Sequence, residues 1–397
     1  MTPPRKFGLI SGSMPGCPDK IERFTKDRIA VLQDDLGDLQ AVIVAPAQEI
    51  SAPAVNQILH MSGGLTFVAL SPERAAAFML SPMTSRNVNS SSLSATPRFS
   101  QLTSVEAREG VSTGISAADR ARTIGILGAR SPHPRALVKP GHIFPVSTKT
   151  GGSLVKAEIP EAALDLVKLA GFSDAALFVD LLDQNGAFIT GDSVAEWADR
   201  NAIPLISISE LIRHRLIKEP LITRIAESSL PTLAGGALKA FVYHSKINDV
   251  EHVALVKGEL KTDEPVLTRV QVENTVADVF GGANPPTREQ ISNALNALSE
   301  SERGILLYLR RASLNETFDP HAANLSKQNH DHAAPPGMRE YGVGAQILRD
   351  LGISNIELLS STKRNLIGLD TFGITIVSQR AIPSLNAASL DSISTES

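Results

Sequence analysis

The stretch Glu109-Gly110-Val111-Ser112-Thr113-Gly114-Ile115-Ser116-Ala117-Ala118-Asp119-Arg120 sets hydroxyls, a carboxylate and a guanidinium beside a glycine turn. Hydroxyl and guanidinium donors beside such a turn suit a phosphate group. Thr113, Asp119 and Arg120 are therefore candidate substrate-binding residues. A plainer expectation, and the preferred one, is that Asp119 and Arg120 form an ion pair that caps and positions the helix after them. A second run follows at Pro140-Gly141-His142-Ile143-Phe144-Pro145, where the plainer expectation for His142 is a satisfied buried histidine.

Outward from these runs, apolar residues recur at helical spacing over Ile21 to Leu36, and Leu39 to Val44 suits a short buried strand. Leu65 to Leu70 predicts a strand, followed by a Ser-, Asn- and Pro-rich loop over Ser81 to Ser100. Glu161 to Ala170 and Ser193 to Arg200 predict helices; Ala175 to Leu182 and Leu205 to Ile208 predict strands. This alternation argues for an α/β sandwich. Glu227 to Gly236, with Ser-Ser, Pro and Gly-Gly, predicts a domain boundary after a helix ending near Arg224. Beyond it, strands are expected at Ala254 to Leu260, Leu267 to Val272, Ile305 to Leu309 and Ile356 to Leu359, with a helix at Gly344 to Leu351. The expected organisation is a disordered lead over 1–20, a first domain over 21–225, a second over 237–384, and a disordered Ser-rich tail over 385–397.

The 397 residues are 42% apolar and 20% charged, an ordinary globular composition with room for two cores. A net charge of −4 without a basic stripe argues against nucleic acid as a partner. No run reaches the roughly 20 apolar residues of a membrane span, and the N-terminus lacks a signal-peptide core, so the cytoplasm is the expected location. Cys17 is the one cysteine, so the chain forms no intramolecular disulfide and no multi-thiolate zinc site. Within Gly12 to Pro18 it reads as an ordinary surface or turn cysteine.

The two quoted runs, with Gly151-Gly152, Glu161-Ala162, Asp165-Leu166 and Leu169 to Phe172, resemble 3,4-dihydroxy-2-butanone 4-phosphate synthases from about Gly63 to Arg215. The resemblance implies conversion of ribulose 5-phosphate to formate and a four-carbon ketone phosphate, with a divalent cation, usually magnesium, on the enediol oxygens. It also implies a homodimer. The remnants of the family's catalytic set are His142 and Glu161, with Asp180 standing where the family has a glutamate. Several family positions differ. The acidic loop after the first core strand is absent, since Val42-Ile43-Val44 runs into Ala45-Pro46-Ala47-Gln48-Glu49. Ile159 stands at the metal-binding histidine, Phe67 at a cysteine and Ser147 at an arginine.

Arg269-Val270-Gln271-Val272-Glu273-Asn274, Asp278-Val279-Phe280-Gly281, Gln290 to Leu295, Leu307 to Arg310 and Arg339 to Leu348 resemble GTP cyclohydrolase II over roughly Leu238 to Pro383. The resemblance implies ring opening of GTP by a zinc-bound water. Arg269, Glu273, Arg310 and Arg339 are the binding residues carried over. The zinc cysteines fall on Asn274, Pro285 and Thr287, the nucleotide loop on Ala312 to Phe318, and a later lysine on Asn365. A replacement metal site at His321 with His330-Asp331-His332 competes with a solvated polar loop, which is preferred.

Together these give a two-domain α/β scaffold, a synthase-type α+β sandwich followed by a cyclohydrolase-like α/β domain. The expectation is a degenerate, noncatalytic member of the fused riboflavin-biosynthesis family, needing no cofactor and acting as partner or regulator of active flavin enzymes. The alternatives are altered lyase activity on a sugar phosphate in the first domain, or a flavin-precursor or nucleotide sensor.

Overall fold

The computed structural model describes residues 16–37, 40–83, 99–232, 236–260, 264–281, 286–311, 338–360 and 372–382. The chain divides into two compact units, the first running to Arg215 and the second starting at Leu216.

The first unit holds strands β1 (Ala30–Gln33), β2 (Ala41–Pro46), β3 (Gly63–Leu70), β4 (Val105–Ala107), β5 (Leu137–Ser147), β6 (Ala175–Leu181) and β7 (Leu205–Ser207). They form one sheet in the order β4-β5-β3-β6-β2-β1-β7. Pairing is parallel for β3 with β5 and β1 with β7, and antiparallel elsewhere. The helices are α1 (Cys17–Asp27), α2 (Ala52–Ser62), α3 (Pro72–Ala77), α4 (Ala117–Gly128), α5 (Ile159–Leu169), α6 (Asp192–Arg200) and α7 (Ile208–Lys218). Every residue of β2 and β6 is buried, because these central strands are covered on both faces. Ala41, Ile43 and Ala45 meet Val55 and Ile58 of α2 and Ile124 and Leu127 of α4 in one core. Val42 and Val44 alternate to the other face, where α5 packs.

That second face carries an aromatic cluster. Phe67 stacks on Phe178 at 5.2 Å and 16°, meets Phe99 edge-on at 5.7 Å and lies 6.0 Å from Phe144. The volume at position 67 is thus filled by packing. Ile159, expected as a lost ligand position, is buried as the first residue of α5.

The second unit has strands β8 (Ile222–Thr232), β9 (Gly236–Ser245), β10 (Glu251–Lys257), β11 (Val266–Val272), β12 (Gly304–Leu309), β13 (Asn355–Ser360) and β14 (Thr375–Ala381), with helices α8 (Thr275–Phe280), α9 (Thr287–Glu300) and α10 (Met338–Asp350). Its sheet runs β14-β13-β11-β12-β10-β9-β8. The β11 to β14 half is parallel, and the β8 to β10 half is antiparallel. Leu267, Leu306 and Leu359 pack with Ala294, Ala297 and Leu298 of α9.

Three expectations are corrected. The helix predicted to Leu36 ends at Asp27, since Arg28 turns left-handed at φ 58. Ala30–Gln33 then pairs with β2 and β7, so a ladder on both sides outweighs helical spacing. Cys17 is no lead or surface residue, because the helix starts with it: its side chain is buried, and burial beside Glu210 pushes the thiol up to about 12. The boundary expected at Glu227 to Gly236 is largely strand β8, paired from Ile222↔Ser245 to Thr232↔Gly236. It is the terminal strand of its sheet, where Pro231 costs no ladder bond that a central strand would need. Residues 1–15, most of the loop expected at Ser81 to Ser100, His321, His330 to His332, and the tail lie outside the described residues.

Phe178 is fully buried in the aromatic cluster. Phe178→Ala should cost about 3–5 kcal/mol by the lost transfer and cavity terms, read as a lower urea midpoint at unchanged slope. A loss under about 1 kcal/mol would show that the cluster does not hold this face together.

Candidate functional site

In the first unit a buried carboxylate, Glu106 of β4, collects the site. Opposite Val105 the ladder reads Ile143, but opposite Glu106 it reads Val138, so residues 139–142 bulge out of β5. The bulge is fixed by Gly141 N–H on Ser104 Oγ at 3.2 Å and His142 N–H on Glu106 Oε2 at 3.2 Å. His142 Nδ1 lies 2.8 Å from the same Oε2. Thr123 Oγ1 of α4 lies 2.8 Å from Glu106 Oε1 and accepts Ala107 N–H at 3.0 Å. With a carboxylate at Nδ1, the neutral ring carries its proton there and presents Nε2 as a base. The His142 side chain is 50% exposed, so the ring is open to solvent.

The glycine-turn stretch closes over this pair. Gly114 is left-handed at φ +78, and a Cβ there would lie 2.0 Å from Glu106 Oε2 and 2.6 Å from His142 Nδ1, so only glycine fits. Ser116 caps α4 through Asp119 N–H at 3.1 Å. Asp119 Oδ2 accepts Ser112 Oγ at 2.9 Å and Gly114 N–H at 3.1 Å. Burial alone would raise this carboxyl, but the hydrogen bonds from Ser112, Gly114 and Ser116 outweigh it and hold the group below the usual range. Arg120 donates from Nε to Ile115 O at 2.9 Å and from an Nη to Thr66 Oγ1 at 2.9 Å. The expected Asp119–Arg120 ion pair is therefore corrected, because Asp119 serves the turn and Arg120 reaches across to β3. His142, expected as a satisfied buried residue, is half exposed.

Glu161 sits in the first turn of α5, where Oε1 accepts Lys149 N–H at 3.0 Å and Oε2 is buried with no partner. Burial, with Glu158 adding to it against Lys156, pushes its carboxyl up to about 8. Asp180 is buried on β6, and Thr113 is exposed on the turn. The sequence singled out His142 but not Glu106. The one local signal was a carboxylate inside the otherwise apolar Val105–Ala107 strand.

In the second unit the structure brings Glu273 and Arg310 together at 3.8 Å where β11 and β12 end. Glu273 also accepts Thr275 Oγ1 at 3.0 Å and Arg311 N–H at 3.0 Å. Arg269 lies earlier on β11, donating to Gln271 at 2.8 Å and Gln290 at 3.2 Å. Asn274 caps α8 through Ala277 N–H at 3.1 Å. Arg339 lies in α10, and its side chain falls outside the described residues. Sequence reasoning missed His252, buried on β10, whose Nδ1 accepts Arg310 N–H at 3.0 Å. Burial, helped by the nearby Arg310, lowers its ring to about 4, so it is neutral at physiological pH.

A model of the 3,4-dihydroxy-2-butanone 4-phosphate synthase family matches residues 18–214, and one of the GTP cyclohydrolase II family matches residues 223–381. Riboflavin biosynthesis protein RibBA of Aquifex aeolicus is 32% identical over 90% of this chain and 90% of its own. The monofunctional riboflavin biosynthesis protein RIBA 2, chloroplastic, of Arabidopsis thaliana is 32% identical over 90% of this chain and 75% of its own. The crystal structure of RibBX, a two-domain 3,4-dihydroxy-2-butanone 4-phosphate synthase from A. baumannii, superposes with a TM-score of 0.71 at 27% identity, covering 92% of this chain and 99% of that one.

These findings overturn the expectation of a noncatalytic regulator, since both matched families are enzymes and the full-length relative is named for riboflavin biosynthesis. The expectation that no cofactor is needed falls with it, because the resembled synthases use a divalent cation and the cyclohydrolases zinc. Glu161 Oε2, buried and unpartnered, is an oxygen donor of the kind magnesium takes, although among the described residues no group of three or more His, Cys, Asp and Glu side chains could hold a metal ion. Cys17 lies in the first unit, so a metal of the second would rest on donors other than thiolates. Among the described residues, no helix is long and apolar enough to cross a membrane.

His252 gives a pH signature. Its folded value lies below the ordinary 6.5, so the stability it contributes is present above 6.5 and is lost as pH falls from there through about 4. From pH 7 to pH 5, Tm of the wild type should fall by several degrees more than that of His252→Gln. Parallel curves would show that this ring is not buried neutral.

Proposed function

The chain belongs to the fused riboflavin-biosynthesis family, in which a 3,4-dihydroxy-2-butanone 4-phosphate synthase domain precedes a GTP cyclohydrolase II domain, and on that premise we propose that its first unit converts ribulose 5-phosphate to formate and 3,4-dihydroxy-2-butanone 4-phosphate. The observation that carries this reading is the Glu106–His142 pair at 2.8 Å, buried on the carboxylate side and open on the imidazole side. Enolisation of a ketose needs a base that takes a proton from carbon and returns it to oxygen or carbon later. His142 Nε2 fills that role. Glu106 holds the ring's other nitrogen and stabilises the imidazolium while the proton is on it.

Arg120 and Thr113 flank the glycine turn and suit the phosphate of the substrate. Asp119, kept ionised by Ser112 and Gly114, holds the turn in place. Glu161 is the residue that would hold magnesium, which when bound polarises the enediol oxygens. The acidic loop of the resembled synthases is missing after β2, so Glu161 would have to be supplemented by water and substrate oxygens for a cation to be held.

The test is formate release from ribulose 5-phosphate as sole substrate, with magnesium, on the full chain. His142→Asn should lower kcat by at least about 10²-fold with KM changed only a few-fold. Glu106→Gln should lower kcat as well. Equal, trace formate from the wild type and His142→Asn would end this assignment.

A further inference from the structure

A hollow of about 450 Å³ in the first unit is lined by Arg108, Glu109, Arg122, Ile126, His133, Arg135 and Ala136. We propose that it is a second ligand site, taking a phosphorylated small molecule and separate from the Glu106–His142 pair. Three guanidiniums and an imidazole face one carboxylate there, in a chain whose net charge is −4. Among the described residues none of the three arginines has a carboxylate partner, although ion pairs are common elsewhere in this unit.

Two of the three arginines, Arg108 and Arg122, are also held in place. Arg108 Nε donates to Arg135 O at 2.7 Å, and Arg108 N–H donates to Ala136 O at 2.8 Å. Arg122 Nε donates to Glu109 O at 2.5 Å. The two side-chain bonds occupy the inner nitrogen and leave the terminal amino groups for a ligand, the fork that binds phosphate bidentately. Gly110 makes this possible, since at φ +74 a Cβ would lie 2.6 Å from Arg122 Cζ. Ile126 adds an apolar wall, so a phosphate carried on an organic body fits better than a bare inorganic ion.

The hollow is distinct from the proposed reaction site. Arg122 and Thr123 are adjacent on α4, yet Thr123 bonds Glu106 whereas Arg122 bonds the backbone of Glu109. Arg120, the guanidinium beside the glycine turn, bonds Thr66 and does not line the hollow.

Isothermal titration of the full chain with inorganic phosphate and with adenosine monophosphate, without substrate, tests this. Saturable binding is expected for both, tighter for the monophosphate. Arg135→Gln should weaken it at least about tenfold, while Arg130→Gln, outside the hollow, should leave it unchanged. Formate release from ribulose 5-phosphate should be unaffected in Arg135→Gln. Absence of saturable binding overturns the proposal, as does binding that survives Arg135→Gln and Arg122→Gln but is lost in Arg120→Gln. Because no turnover is needed, loss of the lyase assignment would leave this result standing.

Discussion

The carboxylate of Glu106 is the tie on which the first unit's site depends. It stands in the three-residue strand β4, takes the main-chain N–H and the ring of His142, and shares the hydroxyl of Thr123. A buried carboxylate without donors is costly, so the bulge of β5 and the first turns of α4 are arranged to supply them. One side chain therefore fixes strand, bulge and helix together. The orientation of the His142 ring follows from that fixation, because the carboxylate holds Nδ1 and leaves Nε2 on the outer side.

Around this tie two further acids are tuned in opposite directions. Asp119 is hydrogen-bonded within its own turn, by Ser112 Oγ and Gly114 N–H among others, and stays below the ordinary carboxylate range, so it is a fixed negative charge that shapes the loop. Glu161 is buried with one oxygen unpartnered and is pushed up to about 8, so it is neutral at pH 7 unless a cation or a donor arrives. Environments that separate two like groups are how a site assigns different tasks to them. Neither shift follows from residue type. Both follow from who donates to which oxygen.

Much of the fold was legible because its signals are local. Leu65 to Leu70, Ala175 to Leu182 and Leu267 to Val272 are apolar runs whose burial needs no knowledge of partners, and each appears as a strand within a residue or two. Ala30–Gln33 was illegible because its neighbours β2 and β7 arrive from residues 41–46 and 205–207. Strand β8 was hidden by Ser-Ser and Pro, residues an edge strand tolerates. At the site, His142 and the Asp119–Arg120 turn were visible as types. Glu106 was not, since its partner lies 36 residues on and is brought near by four residues leaving the ladder.

The same distinction explains why a motif position is a poor witness to activity. Asn274 stands where the resembled cyclohydrolases carry a thiolate, and here it caps α8. Ile159 stands where the synthases carry a ligand, and here it is buried at the head of α5. In each place the new residue has a local structural task, and the altered letter measures that task. What an enzyme needs instead is a set of groups held against one another, and such a set is found at Glu106, His142, Thr123 and Gly114, mostly outside the positions whose letters changed. The substitutions at Asn274 and Ile159 leave that set intact, so its groups stay held against one another although family letters are lost elsewhere.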